Sequence, residues 1–290
     1  MILIADSGST KCDWVLLDSS GKEHFRTKTL GLNPSVLPDS EIISIINSNS
    51  ELVSVVTTVS SLDFYGAGCG TETPRQNLED LLGTIFTNAK VTVKEDIMAA
   101  VYSVTQEPGI ICILGTGSNS CYFDGKLIEN GPPSLGFMVM DEASGNYFGK
   151  KLLQDYFYYM MPLKISLKFE NDFNLSSDFI KTNLYKKTNP NAYLASFAKF
   201  IFTTPDEDAY FYNLLKTGIS KFISNHILYF NTAEVVPIHF IGSIAHFSEK
   251  ILKETLENHH LRLGKVIQKP MDGLIDYYRN VKLQNLNSNE

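Results

Sequence analysis

The chain has 290 residues, 43% of them hydrophobic, and a formal charge of −7. That apolar content is ample for more than one domain-sized core, while a net acidic chain without a basic run has little to offer a nucleic-acid backbone or an anionic membrane. No apolar stretch approaches the roughly 20 residues of a membrane span and the N-terminus has no basic targeting segment, so a soluble, cytoplasmic protein is expected.

In chain order, Met1–Ala5, Cys12–Asp18 and Glu23–Leu30 read as strands, with Ser19-Ser20-Gly21-Lys22 as the hairpin turn between the last two. Leu52–Ser60 is strand-like, and the Gly-rich Tyr65-Gly66-Ala67-Gly68-Cys69-Gly70 follows. Thr73-Pro74-Arg75-Gln76 has the pattern of a capping box with Pro at the first helical position. Lys90–Lys94 alternates like a strand, ends in Glu95-Asp96, and Ile97–Val104 continues as a helix.

The first strand and its turn then recur. Ile2–Cys12 lines up without a gap on Ile111–Cys121, an offset of 111 − 2 = 109. A second meander follows from it: Ile110–Leu114, Ser120–Asp124, a Gly125-Lys126 turn and Leu127–Glu129. Gly145–Lys151 reads as helix rather than a P-loop, because its spacing is wrong and it lacks the hydroxyl. Phe157–Met161 reads as helix core or packing between lobes. After Thr204-Pro205-Asp206-Glu207, a second capping-box pattern, Phe211, Leu214, Leu215, Ile219, Phe222, Ile223, Ile227 and Phe230 keep helical spacing. Val235–Ile241 reads as a last strand, broken at Gly242-Ser243 before another helix, and the tail after Arg279 reads as frayed.

This order implies two similar α/β lobes with a cleft between them, residues 1–106 and 107–290, with the final helix free to rejoin the first lobe. A Gly flanked by hydroxyls at a strand–turn–strand lets N–H and O–H groups converge on an anion. In Asp6-Ser7-Gly8-Ser9-Thr10-Lys11 a carboxylate precedes such a turn and could hold Mg²⁺ through water, with Ser9, Thr10 and Lys11 toward phosphate oxygens. The alternative for either turn is an ordinary hairpin; the pairing of the two favours function. Cys12, Cys69, Cys112 and Cys121 lack metal-site spacing and read as buried, reduced thiols, and the six histidines as solvated or capping. A dinucleotide-binding reading of Gly66-Ala67-Gly68 leaves the repeated meander unexplained.

Taken together, Asp6-x-Gly8-x-Thr10, Leu114-Gly115-Thr116-Gly117-Ser118 and Ile238-His239-Phe240-Ile241-Gly242-Ser243 resemble, in order, the two phosphate motifs and the adenosine motif of the actin-like ATPase superfamily of sugar kinases, Hsp70 and hexokinase. Within it the chain is similar over nearly its whole length to the N-acetylglucosamine kinase and BadF/BadG-type ATPase family. Gly31-Leu32-Asn33-Pro34, Tyr65-Gly66-Ala67-Gly68, Asp96, and Gly136–Glu142 followed by Ser144-Gly145 add to the likeness.

The resemblance implies two ribonuclease H-like lobes, each a mixed sheet with helices on both faces, and an ATP- and Mg²⁺-dependent kinase acting on an amino sugar. It implies that Asp96 is the general base toward the sugar hydroxyl, that Asn33, Ala67, Gly68, Gly136 and Asp141 contact the sugar, and that Thr116, Gly117, Ser118, Gly242 and Ser243 hold nucleotide. The residues alone leave Asp96 as an N-cap, Asp141 as a cap for a helix near Glu142, and Gly242-Ser243 as a helix-initiating turn. Glu95, one residue earlier on the strand, should face the other way. Gly115 stands where the first copy has Asp6, so the metal belongs with the first turn. Ser134-Leu135-Gly136 departs from the family's Gly–aromatic–Gly segment in the sugar pocket. A homodimer also fits the family. The other functions weighed are an activator-type ATPase with a cysteine-held iron–sulfur cluster, and a non-catalytic sugar or nucleotide sensor.

Overall fold

The computed structural model describes residues 1–8, 10–205 and 209–283. The chain divides into two compact units, Met1–Val104 together with the segment from Pro270 onward, and Thr105–Lys269.

The first unit opens with β1 (Ile2–Ser7), β2 (Lys11–Leu17) and β3 (Glu23–Leu30), an antiparallel meander. Helices α1 (Asp39–Asn47) and α2 (Ser50–Val53) precede β4 (Ser61–Gly66); α3 (Glu72–Ile85), β5 (Lys90–Glu95) and α4 (Asp96–Val104) follow. The strand order is β3-β2-β1-β4-β5, with β1, β4 and β5 parallel. Successive side chains of a strand face opposite sides. Leu3, Ala5, Trp14 and Phe64 therefore enter a core under α1 and α3, while Ile4, Val15, Leu17 and Tyr65 enter a second core on the other face.

The second unit repeats that plan. It contains β6 (Gly109–Leu114), β7 (Ser118–Phe123), β8 (Ile128–Asn130), α5 (Gly145–Phe157), α6 (Leu163–Asp172), α7 (Ser177–Tyr185), α8 (Pro190–Phe197), α9 (Lys199–Thr203), α10 (Tyr210–Phe222), β9 (Ile238–Ile241), α11 (Ser243–Phe247), α12 (Glu249–Asn258) and β10 (Leu263–Ile267). The order β8-β7-β6-β9-β10 matches the first sheet strand for strand, with β6 parallel to β9 and β9 to β10. Finally α13 (Met271–Tyr277) packs with α4 over the second core of the first unit. No helix among the described residues is long and apolar enough to cross a membrane.

Several local expectations change. Leu52–Ser60 is not a strand: Asn49 Oδ1 accepts the Leu52 N–H at 3.0 Å and starts α2, and the strand begins only at Ser61. α3 starts at Glu72, so Pro74 lies inside the first turn, where helix N–H groups lack intrahelical partners in any case. Of the second capping-box pattern, Asp206 and Glu207 lie outside the described residues; α10 starts at Tyr210. Its helical periodicity breaks at Ile223, where a π turn (Ile223–Ile227) takes over and Leu228 N–H donates to the Ile223 carbonyl at 2.9 Å.

The edge strand β10 was not expected. Tyr158, Tyr159 and Met160 are exposed beyond the end of α5 rather than in a core, whereas Met161 is buried. From Arg279 to Leu283 the chain is packed rather than frayed, with Leu283 buried and Lys282 Nζ donating to Asp63 Oδ2 at 2.7 Å; the rest of the tail lies outside the described residues. The four cysteines are free and buried. Two histidines are buried rather than solvated: His226, and His239, whose Nδ1 accepts the Lys265 N–H at 3.0 Å and whose pKa burial pulls down to about 4.

Candidate active site

In the first unit the candidate residues gather at the C-terminal ends of the parallel strands, the edge where open α/β sheets usually bind ligands. Asp6 is the next-to-last residue of β1 and pairs across the hairpin with Asp13. Two carboxylates directly opposite on one sheet face repel. Burial, then Asp96, then Asp13 push the Asp6 carboxyl up to about 7, against the opposing pull of Lys11. Asp96 follows β5 without a loop and is the first residue of α4. Its carboxylate accepts from its own and the Ile97 N–H groups, yet burial and the neighbouring Glu95 raise it to about 7. The capping and acid–base readings of Asp96 thus describe the same side chain. Thr10 and Lys11 are exposed at the turn, and Ser9 lies outside the described residues.

Ser7, unremarked in the sequence, ties the loops at Leu32 and Ala67 together. Its hydroxyl accepts the Leu32 N–H and its carbonyl the Ala67 N–H, both at 2.8 Å. Asn33 Oδ1 accepts the Ser35 N–H at 2.9 Å, and Ser35 Oγ donates to the Gly68 carbonyl at 3.1 Å. Gly68 has φ +82°, and a Cβ there would run into Asn33 Oδ1, so only glycine fits. The loop pair Asn33–Ser35 and Ala67–Gly68 is therefore one built unit. Glu95 lies beside the end of the Gly-rich loop, where a Cβ on Gly70 would be 2.8 Å from its Oε1, and its charge raises the Asp96 pKa.

In the second unit the Gly115-Thr116-Gly117 turn joins β6 to β7. The turn carbonyls are all engaged: Gly115 by the Gly145 N–H at 2.8 Å, Thr116 by the Asn146 N–H at 2.9 Å, and Gly117 by the Gly115 N–H at 3.0 Å. In a trans peptide the following N–H points the opposite way, so the Thr116 and Gly117 amides face away from α5. Gly242 closes on this turn as well. Its φ is +120° and a Cβ would strike the Leu114 carbonyl, which brings the Gly242-Ser243 start of α11 against the phosphate-type turn.

Asp141 does not cap a helix at Glu142; Ser144 caps α5, accepting the Tyr147 N–H. Instead Asp141 lies buried against Gly117, accepts the Ser118 N–H at 3.3 Å and takes a 2.6 Å hydrogen bond from Asn146 Nδ2. Burial raises its pKa, with the Ser118 and Asn146 donors pulling back. Ser118 Oγ and Asn146 Oδ1, beside Asp141, are buried without a hydrogen-bond partner among the described residues. Gly136, with φ +79°, turns an exposed segment bearing Leu135, Met138 and Val139.

Asp13, Ser7 and Asn146 are the residues that sequence reasoning missed. Only Asp13 had a signal, its mirror placement to Asp6 about the turn. As for metal, no three His, Cys, Asp or Glu side chains converge among the described residues. Asp6 and Asp13 suit Mg²⁺, which keeps several waters and is commonly held by one or two carboxylates plus substrate phosphates.

No protein-family model and no curated protein matches the chain. Among solved structures it is similar to a candidate N-acetylglucosamine kinase from Porphyromonas gingivalis, with 35% identity, TM-score 0.88, and coverage of 97% of this chain and 100% of that one. A second candidate N-acetylglucosamine kinase, from Chromobacterium violaceum, aligns with TM-score 0.71 at 15% identity over 95% and 98% of the two chains. A ROK family glucokinase from Streptomyces griseus, in complex with glucose and AMPPNP, shares the fold at TM-score 0.55 and 13% identity, over 95% and 97%. The duplicated sheets, the two hydroxyl-rich turns and a 35% identical relative aligned over nearly the entire chain identify the protein as a member of the N-acetylglucosamine kinase family, within the actin-like ATPase fold.

Proposed function

We propose that this protein is an ATP-dependent sugar kinase that transfers the γ-phosphoryl group to a hydroxyl of an amino sugar, N-acetylglucosamine or a related hexosamine. The carrying observation is Asp96, a carboxyl with a pKa of about 7 at the end of β5, on the same unit as Asp6 and the Asn33–Gly68 loops. A base balanced near neutrality suits proton removal from the acceptor hydroxyl. Asn33 and the Ala67–Gly68 backbone orient sugar hydroxyls, Gly136 has the sugar contact that the family likeness assigns it, and Thr10 and Lys11, with Ser9, meet phosphate oxygens.

In the second unit the outward amides of Thr116 and Gly117 and the Ser118 hydroxyl cradle phosphate, Gly242-Ser243 faces the adenosine, and Asp141 steadies the cradle at Ser118 while serving the sugar side that the family likeness assigns it. Mg²⁺, held through Asp6, supplies charge neutralisation at the phosphates; positioning and electrostatics are most of what phosphoryl transfer requires. A cytoplasmic homodimer is the matching assembly, and the exposed Tyr158, Tyr159 and Met160 supply apolar surface for it.

The deciding experiment is a coupled ADP-release assay across glucosamine, N-acetylglucosamine, N-acetylmannosamine and glucose, on the wild type and Asp96→Asn. The variant should lose ~10²–10⁴-fold in transfer with nucleotide affinity unchanged. A variant that keeps most of its rate rules out Asp96 as the base.

A further inference from the structure

The π turn after α10 presents two consecutive residues to one carboxylate. Asn225 Nδ2 donates to Glu142 Oε1 at 3.0 Å, and His226 Nε2 lies 3.2 Å from Glu142 Oε2. Burial raises the Glu142 carboxyl, but its own N–H, His226 and Asn225 all donate to it and leave its pKa below the ordinary value. An ionised carboxylate only accepts, so the imidazole proton sits on Nε2. His226 is buried, stacked on Phe222 at 4.6 Å, and its Nδ1 has no hydrogen-bond partner among the described residues. A helical widening of this kind, used to aim two polar groups at one target, is a device found often at functional sites.

The target sits in a special backbone. Asp141 (φ 72°) and Ala143 (φ 56°), on either side of Glu142, both occupy the left-handed region that non-glycine residues avoid. Such conformations persist where surrounding contacts over-determine them. Here the contacts are Glu142 to the π turn on one side, and Asp141 to Ser118, Asn146 and Gly117 on the other.

We infer that Glu142, clamped by Asn225 and His226, is a positioning residue that acts through Asp141 to hold the Gly115–Ser118 turn in its anion-cradling shape, an inference that rests on the kinase reading. Glu142 touches no reacting atom itself. Releasing it lets the 141–143 backbone relax, and the Ser118 amide and hydroxyl lose their fixed direction.

The test measures KM for ATP, KM for sugar and kcat, with nucleotide Kd by calorimetry, in wild type, Glu142→Ala, Glu142→Gln, His226→Gln and His226→Phe. Glu142→Ala and His226→Phe should raise the ATP KM and Kd about tenfold, the worth of one lost charge-assisted hydrogen bond, with a clearly smaller rise in sugar KM passed on through Asp141. Glu142→Gln and His226→Gln keep an acceptor and a donor in place and should recover most of that loss, a rescue that a purely structural role would not direct to the nucleotide side. If Glu142→Ala does not fold, Asn225→Ala removes one donor from a more exposed position and is read in the same way. Wild-type ATP parameters in the folded variants, or equal losses for ATP and sugar, overturn the clamp. A wild-type protein that binds no nucleotide overturns the kinase reading itself, and the clamp with it.

Discussion

Asp6 and Asp96 are carboxyls held near pKa 7, where an exposed aspartate would sit near 3.8, and the native state therefore binds protons that the unfolded chain has already released. Stability rises with pH only where the unfolded state binds more protons; here the native state does, so these groups favour folding at acid pH, and that contribution is lost as pH rises from about 4 through 7. Asp6→Asn should accordingly raise the thermal midpoint of the ligand-free protein at pH 8 and leave it unchanged near pH 4. A shift of about three units sets a ceiling of ~4 kcal/mol, and because Asp6 is half-buried a gain of about 1–2 kcal/mol is expected. Thermal melts across pH 4–8 decide it, and a lower midpoint for Asp6→Asn at pH 8 contradicts the assignment. With Asp96 as the proposed base, its protonation has an opposite effect on catalysis: kcat/KM should fall about tenfold per pH unit below 7.

At the scale of elements, the surface proposed to face the sugar depends on how two loops interlock. Gly68→Ala places a methyl on Asn33 Oδ1 and forces a side chain into φ +82°. The left-handed backbone alone costs ~1–2 kcal/mol. Asn33 must also move, so sugar KM should rise at least about tenfold while ATP KM holds; a variant whose sugar KM is unaffected would separate Asn33 from the substrate.

What was legible at this scale follows from what each signal measures. The first meander and β5 were readable because alternation and hairpin turns are local, and Asp96 stood out as an acid at a strand end. Leu52–Ser60 misled because a short β-branched, apolar run does not by itself tell a strand from a short helix and turn; Asn49 capping starts a helix there and only Leu52 and Val59 of the run are buried. The π turn keeps the apolar spacing of Phe222, Ile223 and Ile227 and so leaves no trace in periodicity. Asp141 read as a cap or a sugar ligand, while its neighbours Ser118 and Gly117 come from 23 and 24 residues earlier, which only the fold brings near.

For the whole molecule, the repeated turn was the visible end of a duplicated sheet, although the copies are not superimposable residue for residue. Ile2 pairs with Leu17 but Ile111 with Cys121, so the second hairpin is tighter than a constant offset of 109 allows. The two units also differ in how the chain completes them. Thr105–Lys269 is one continuous stretch with its own core, from Ile110 to Leu261. Met1–Val104 is incomplete: Ile4, Val15, Leu17, Tyr65 and Ala99 are covered by Met271, Leu274, Ile275 and Tyr278, and the buried Asp63 takes its ion pair from Lys282. Each of those large apolar side chains contributes ~1.5–3 kcal/mol by burial. Losing several of them exceeds much of the ~5–15 kcal/mol a domain has to spare, before the ~3–5 kcal/mol of an orphaned buried charge is added. A fragment of residues 105–269 should therefore unfold cooperatively on its own, whereas residues 1–104 should show no cooperative melt until a peptide spanning Pro270–Leu283 is supplied. Circular dichroism melts of the fragments, alone and mixed, test this directly; a cooperative transition for residues 1–104 alone would show that the returning segment is an ornament on that unit rather than part of its core.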